Sequence, residues 1–421
     1  MKGRNAVRTG RHGMAGSIGK AFLFTLLALL GCDGPQENIG ERAQGSITLS
    51  HSDIHILGTS EAIAEVKDLE VLQDGSVWVL NSLEPFFLGF GPDGSSLAIH
   101  GTLGGGPEEY GMPSAFVSRK IGGDAWVLDS RRHSLFKISE PDSARAELSL
   151  RLDSLPPGSL LTGLDMMDDV VRTARMGSEI LLPRTTRPEG SDFLGFRMAM
   201  LGADILALDP STGSVRKVVS LAEVLGDLAA GLELSEGGLP LWFRLWAVCG
   251  DEHFRVHDRV RNEIRSFNPM GVELEATPLP PVAFSEVTPR QFAKAIFPLR
   301  KIEMAGNVWE NMSAADSARL MNELVQGVRG TPEQLAQYLP RYVDFRCSDD
   351  GTMWIQPFDV ETGSLSGGPV WLRITSSGLR EEVRFPDRFD PFRFTPGRIW
   401  GVQRDELDVA SIAWINTPPT H

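Results

Sequence analysis

Two histidines four positions apart, His253 and His257, have the residue type and close spacing that can indicate a metal site. They belong to EHFRVHD, whose alternating pattern predicts a β-strand. On a strand both rings point to one face about 13 Å apart, which is too far to share one ion, and Arg255 between them repels a cation. The pattern therefore predicts a polar strand face and no metal site.

A glycine-rich segment, GTLGGGPEEYGMP at 101–113, is the second candidate for chemistry. A phosphate-binding loop needs backbone N–H groups at the start of a helix, usually followed by Lys and Ser or Thr. Here Gly106 is followed by Pro107, Glu108 and Glu109, and the next residues alternate as strands do. The segment therefore predicts a connection between strands and no phosphate site.

Sequence motifs of several enzyme classes are absent. No H-E-x-x-H, C-x-x-C or G-x-S-x-G occurs, which leaves zinc proteases, dithiol oxidoreductases and hydrolases with a nucleophile elbow without support. The formal net charge of −14 disfavours nucleic acid and anionic membrane surfaces as partners. A hydrophobic content of 42% over 421 residues is typical of a globular protein with a substantial core.

The first 31 residues differ from the rest of the chain. They carry five basic residues and no acid, followed by the apolar run AFLFTLLALL at 21–30. As a helix this run spans about 15 Å, half of a bilayer core, so it predicts a signal-peptide core better than a membrane span or a buried helix. Leu29-Leu30-Gly31-Cys32 resembles the bacterial lipobox, which implies cleavage before Cys32 and lipid attachment to its thiol. Removing residues 1–31 takes away five positive charges and changes the net charge from −14 to −19.

A degenerate repeat of one hairpin occurs six times along the chain. Each copy is a short apolar run, a turn with Gly or Asp, and an alternating strand with a large apolar anchor. The copies are 70–82, 118–130, 174–184, 247–258, 345–357 and 394–405, with anchors Trp78, Trp126, Leu181, Phe254, Trp354 and Trp400. Two further strands follow most copies, and four strands repeated every 45–50 residues predict a β-propeller rather than a sandwich. We expect six blades, or seven if residues 155–235 contain two.

The junction after the first hairpin resembles that of NHL-repeat propellers. The resemblance rests on Gly101, Gly104, Gly106, Glu109 and Tyr110, followed by GGDAWVLDS and RRHSLFKIS. In that family the glycine-rich segment crosses from one blade to the next, and the Glu and the aromatic residue fix the crossing. The segment 399–416 is similar to the last blade of six-bladed propeller lipoproteins of environmental bacteria. These resemblances imply a propeller fold and give no indication of a particular reaction.

The last blade lacks one strand, while residues 46–57 precede the first complete blade. We expect this N-terminal strand to close the ring by pairing with residues near 408–416. The pattern of residues 286–340 instead predicts helices, with Thr288, Ser313 and Thr331 as N-caps. We expect this helical insertion, between blades 4 and 5, to pack on one face of the ring and to cap the channel or to serve only as structural decoration.

The gluconolactonase-like family, which shares the expected fold, supplies the alternative function. It implies one divalent cation in the central channel as cofactor, with a first ligand in an E-G-P motif. The matching place here is Glu65-Val66-Lys67-Asp68, which lacks Gly and Pro and adds a positive charge. We therefore expect no cofactor and no metal, and keep a metal-dependent channel-site hydrolase or lyase as the alternative.

Candidate ligand-binding residues come from the inner strands and the insertion. Arg244 and Arg346 lie in predicted inner strands and could face a ligand or form salt bridges between blades. Trp309, Phe292 and Tyr338 could supply aromatic contacts under a helical cap. Cys249 and Cys347 take the same place in adjacent repeats, which permits a disulfide if their Cα atoms lie within about 7 Å.

The sequence thus predicts an all-β, six-bladed propeller lipoprotein of the bacterial cell envelope. The expected organisation is a signal peptide at 1–31, a tether at 32–45 and a propeller at 46–421 with a helical insertion at 286–340. The expected partner is an envelope protein or a small ligand bound by a monomer. The lipid is the expected contact with the membrane, at the periplasmic face of the inner membrane or at the outer membrane, and Asp33 favours the inner one.

Overall fold

The computed structural model describes residues 45–106, 109–117, 125–129, 131–132, 134–138, 146–152, 173–184, 204–225, 246–250, 253–258, 261–281, 286–305, 313–363 and 368–419. The signal peptide, Cys32, Arg244 and Trp309 lie outside these ranges.

The strands form six principal sheets, each a propeller blade. In chain order, β1 (Gly45–Thr48) and β2 (Ile54–Thr59) come first; blade 1 contains β3 (Val66–Val71), β4 (Val77–Asn81), β5 (Phe87–Phe90) and β6 (Ser96–His100). After the short pair β7 (Thr102–Leu103) and β8 (Glu109–Tyr110), blade 2 contains β9 (Pro113–Val117), β10 (Ala125–Asp129), β11 (Ser134–Ile138) and β12 (Ala146–Arg151). Blade 3 contains β13 (Ala174–Met176), β14 (Glu179–Arg184), β15 (Asp204–Leu208) and β16 (Val215–Ser220), and blade 4 contains β17 (Trp246–Cys249), β18 (His253–Asp258), β19 (Glu263–Phe267) and β20 (Glu273–Pro278). Blade 5 contains β21 (Tyr342–Cys347), β22 (Met353–Pro357), β23 (Val370–Ile374) and β24 (Arg380–Arg384), and blade 6 contains β25 (Phe389–Thr395), β26 (Arg398–Arg404) and β27 (Ala410–Asn416).

The prediction of a six-bladed propeller is confirmed. Each of the six predicted hairpins contains the second strand of one blade, and every anchor residue lies in that strand. Five of the anchors are buried and Trp126 is half-buried. The first strands contact each other between blades 1 and 2, 3 and 4, 4 and 5, and 6 and 1, as expected for the inner strands around a propeller axis.

The N-terminal segment closes the ring, as predicted, and also extends the neighbouring blade. β2 pairs antiparallel with β27 and supplies the fourth strand of blade 6. β1 instead pairs parallel with β24, with Gly45 opposite Glu381, and becomes a fifth strand of blade 5. The expectation that residues 46–57 pair only with the last blade is therefore wrong for residues 46–48. The difference arises because the outer edge of β24 offers unpaired backbone groups, which a passing strand satisfies.

Hydrophobic clusters fill the seams between blades. At the seam of blades 5 and 6, Phe394 packs on Trp354 and Trp371, with ring centroids 4.8 and 5.1 Å apart. Comparable clusters join blades 6 and 1, 1 and 2, 3 and 4, and 4 and 5. This packing makes the ring a rigid support for its connections.

Among the described residues, helices occur chiefly between blades 4 and 5. They are α1 (Leu221–Leu225), α2 (Pro289–Ala305), α3 (Ala314–Gly327) and α4 (Pro332–Tyr338), with a 3-10 turn at His51–Asp53. The Thr288, Ser313 and Thr331 hydroxyls accept hydrogen bonds from the N–H groups three residues later and so cap α2, α3 and α4. Within the described residues, no helix is both long enough and apolar enough to span a membrane.

Candidate functional site

The two faces of the ring carry connections of very different length. The short-turn face holds the described first-to-second strand turns 72–76, 177–178, 348–352 and 396–397 and the described third-to-fourth strand turns 91–95, 209–214, 268–272 and 375–379. Every connection of twelve or more residues between the described strands joins strand ends at the other face, the loop-bearing face: 101–112, 152–173, 185–203, 221–245, 279–341 and 358–369. Functional residues concentrate on loops that a rigid scaffold presents, so the loop-bearing face is the candidate functional face.

The glycine-rich junction on this face is held by its own glutamate. The Glu109 carboxylate accepts hydrogen bonds from the N–H groups of Gly105 and Gly106, both at 2.6 Å. These two bonds, and the nearby positive charge of Arg132, lower the pKa of Glu109. A Cβ on Gly104 would lie 2.0 Å from the Glu109 Oε2 atom, so a side chain there would push the carboxylate away from its two N–H donors. Because a carboxylate already occupies these amides, the loop does not present them to a phosphate.

The polar residues that end three of the second strands hold the neighbouring loops. The Asn81 side-chain amide donates to the carbonyls of Ala62 and Pro85, at 2.8 and 3.0 Å. The buried Asp129 carboxylate accepts from the N–H groups of Gly111 and Met112, at 2.7 and 3.0 Å. Asp258 takes the equivalent place in blade 4 and accepts from the N–H and guanidinium of Arg261, at 3.1 and 2.7 Å. These three residues were not predicted to have a role, although the sequence endings VLNS, VLDS and RVHD mark them.

Arg346 ties blade 5 to blade 6. Its Nε donates to the Asp344 Oδ2 atom at 2.8 Å, and its Nη1 donates to the carbonyl oxygen of Phe392 in blade 6. The guanidinium also lies over the Trp371 and Phe392 rings, 5.9 and 5.7 Å from their centroids. The residue is only 9% exposed. The ion pair with Asp344 thus lies within blade 5, and the tie to blade 6 is a hydrogen bond to a backbone carbonyl rather than the expected salt bridge between blades.

Two further inner-strand carboxylates make similar ties. Arg393 of blade 6 lies 3.3 Å from the buried Glu70 carboxylate of blade 1. Asp68 of blade 1 accepts a hydrogen bond of 2.9 Å from the Phe116 N–H of blade 2. Charged side chains near the axis thus link consecutive blades and support the ring.

A divalent cation in the channel, the implied cofactor of the alternative, needs several converging oxygen ligands. Glu65, at the expected first-ligand position, is exposed, and its carboxylate accepts from the Ser82 hydroxyl at 3.2 Å. Asp68 uses its other oxygen for the Leu69 N–H, at 2.9 Å. Among the residues that the structure describes, no three His, Cys, Asp or Glu side chains converge closely enough to hold an ion. The described residues therefore do not fit such a cation.

The helical insertion packs on blade 5. Phe292 of α2 is only 5% exposed and lies in the core between the helices and this blade. The neighbours in that core are Val287, Ala295, Ile296, Leu335, Leu339, Val343 and Phe358. Lys294 and Gln291 also bond the Glu361 backbone and side chain, at 3.1 and 3.0 Å. The structure thus places Phe292 in a hydrophobic core rather than at a ligand surface, while the Tyr338 side chain lies outside the described residues.

The chain returns from the insertion to blade 5 at Tyr342. Its hydroxyl donates to the Pro280 carbonyl at 2.8 Å, and burial raises the pKa of the phenol. Its ring meets that of His257 edge-on, with centroids 5.4 Å apart. His257 is buried, whereas His253 at the start of the same strand is half-buried. The two histidines therefore have different surroundings.

Cys249 and Cys347 form a disulfide at the short-turn end of their strands, with Cα atoms 4.9 Å apart. It joins the inner strands of blades 4 and 5, the blades between which the helical insertion lies. The bond is therefore at the opposite end of these strands from the helices.

Neither a protein-family model nor a curated protein matches the chain. Its fold is similar to that of a calcium-binding protein, regucalcin, from Agrobacterium tumefaciens str. C58, at 11% identity and a TM-score of 0.44 over 88% of this chain and 96% of that chain. It is also similar to virginiamycin B lyase from Staphylococcus aureus, at 12% identity and 0.41 over 87% and 99%. A gluconolactonase from Xanthomonas campestris aligns at 9% identity and 0.43 over 86% and 89%. At these identities the likeness concerns the fold alone.

Proposed function

We propose that this protein is a lipid-anchored binding module of the bacterial cell envelope that recognises an envelope protein or a small ligand through its loop-bearing face. The observation that carries this proposal is the placement of every long connection between described strands on one face of a rigid ring. The charged side chains near the axis are hydrogen-bonded to neighbouring blades, as Arg346 and Asp68 illustrate, and so serve the ring itself.

The helical insertion is the proposed recognition element. Replacing residues 288–340 by a short Gly/Ser linker should leave a folded propeller that no longer retains its partner or ligand in pull-downs from solubilised envelopes. The control is Ser376→Asp, an exposed position on the short-turn face, which should bind as the unchanged protein does. Normal binding by the linker variant, with its strand content intact, would move recognition away from the helices.

Attachment to the membrane is proposed to occur through lipid on Cys32. Cys32→Ser should leave the leader uncleaved by lipoprotein signal peptidase, and the product should lack the mass of a diacylglycerol. A Cys32→Ser variant that is nevertheless cleaved and still partitions normally into the membrane would contradict this. Exchange of Asp33 for Ser, followed by membrane fractionation, tests retention at the inner membrane.

A catalytic role is the outcome that would overturn the proposal. Purified protein that holds stoichiometric calcium or zinc, together with a hydrolase or lyase activity that chelation abolishes, would establish a channel-site enzyme. We expect neither, because the described carboxylates near the axis are engaged by backbone N–H groups and by arginines.

A further inference from the structure

The short-turn face carries an exposed apolar patch at the rim of blades 3 and 4. Met270 and Val272 are 71% and 58% exposed, and Leu274 and Val215 are 50% and 37% exposed. These four residues, the Met270 patch, lie in the 268–272 turn and in β20 of blade 4 and at the start of β16 of blade 3, and the turn itself lies against β16. Clustered large apolar side chains on a surface usually mark an interaction site.

The turn is held in place by specific contacts. The Arg216 Nη1 atom donates to the Pro269 carbonyl at 2.8 Å. Gly271 has φ of +78°, and a Cβ there would lie 1.9 Å from the Val218 carbonyl oxygen. The patch is therefore a fixed part of the surface.

The chain enters the described fold on the same face. Gly45 pairs with Glu381, directly after the 375–379 turn of blade 5, the blade next to the patch. Between Cys32 and Gly45 lie only the residues of the proposed tether, which, counted from Cys32, can span at most about 45 Å. A ring of this size has a radius of gyration of about 21 Å, so the tether is no longer than the ring is wide.

Charges bordering the patch are paired. Arg216 bonds Glu179, and Arg265 bonds Glu273. The border of the patch therefore carries little net charge. Such a surface suits contact with the apolar region of a lipid interface better than contact with a charged partner.

We infer that the Met270 patch rests on the lipid bilayer, so that the short-turn face lies toward the membrane and the loop-bearing face points away from it. This inference rests on the proposed lipid anchor, which holds the short-turn face close to the bilayer. Burial of the apolar side chains of the patch in the bilayer orients the anchored protein. The long connections of the loop-bearing face then stay accessible to a partner.

The test uses the full lipidated protein in vesicles of phosphatidylethanolamine and phosphatidylcholine, whose zwitterionic surface does not repel the acidic protein. Met270→Cys carries an environment-sensitive fluorophore, and Leu407→Cys, at an 84% exposed position on the loop-bearing face, is the matched control. Nitroxide-labelled lipids should remove most of the emission at position 270 and little at position 407. A second reporter, Val272→Cys, should behave as position 270 does, and high salt should not restore the emission.

Three results would overturn the inference. Protein that floats with the vesicles but shows no quenching at 270 and 272 would keep the anchor and refute the lipid-facing patch, leaving it for a protein partner. Stronger quenching at 407 than at 270 would reverse the orientation. Protein that neither floats nor carries the diacylglycerol mass would remove the anchor itself and the inference with it.

Discussion

Cys249 ends the inner strand of blade 4, Cys347 ends that of blade 5, and the two are joined by a disulfide across 98 positions of sequence. The segment between them contains the helices α2, α3 and α4. The bond therefore fixes, at the short-turn face, the seam whose opposite end carries the largest insertion.

Removal of this disulfide should destabilise the ring. Cys249→Ser with Cys347→Ser releases a closed loop of about 100 residues, for which the loss is about 2–5 kcal/mol. Denaturant unfolding compares the double variant with the unchanged protein in its oxidised form. The unchanged protein under reducing conditions is the control. Equal unfolding midpoints for all three samples would contradict the prediction.

Removing one partner of a buried ion pair in blade 5 should lower the free energy of unfolding. Arg373 and Glu381 are almost fully buried, and the Arg373 Nε atom donates to Glu381 at 2.9 Å. Glu381→Leu leaves a buried arginine without its counter-charge and should lower the free energy of unfolding by about 3–5 kcal/mol. The double variant with Arg373→Met should recover much of this loss. A double variant as unstable as the single one would show that the pair is not the cause.

A side chain at Gly104 should destabilise the glycine-rich junction. Gly104→Ala places a methyl group 2.0 Å from the Glu109 carboxylate and should cost about 1–3 kcal/mol of stability. Gly327→Ala is the matched control, because a Cβ there meets nothing within 4 Å. Thermal unfolding compares the two, and similar losses in both variants would contradict the predicted clash.

Glu109 should make stability depend on acid pH. Its pKa is lowered below the usual 4.5 by its hydrogen bonds to the Gly106 and Gly105 N–H groups. Its contribution is therefore present above pH 4.5 and is lost as the pH falls through the lowered value. The stability difference between the unchanged protein and Glu109→Gln should shrink on acidification from pH 7 in unfolding titrations. A difference that stays constant into strong acid would contradict this role.

The repeated hairpins were predictable because turn chemistry, alternation and an anchor such as Trp78 coincide in each copy. The pairing of residues 45–48 with β24 was not, since it is made by backbone groups that carry no side-chain signal. For the same reason the sequence does not reveal that Arg346 donates to the Phe392 carbonyl, an atom of another blade. The burial of Phe292 depends on how the helices pack on blade 5, which their amphipathic pattern alone leaves open.

Site-specific photo-crosslinking in cells tests most directly whether the loop-bearing face binds the partner. A benzophenone side chain would replace Leu83 or Leu407 on that face and, as matched positions, Gln73 or Ser376 on the short-turn face, all four exposed. If the partner is a protein, the proposed function predicts protein adducts from positions 83 and 407 and none from 73 and 376. Protein adducts from 73 and 376 but not from 83 and 407 would contradict it.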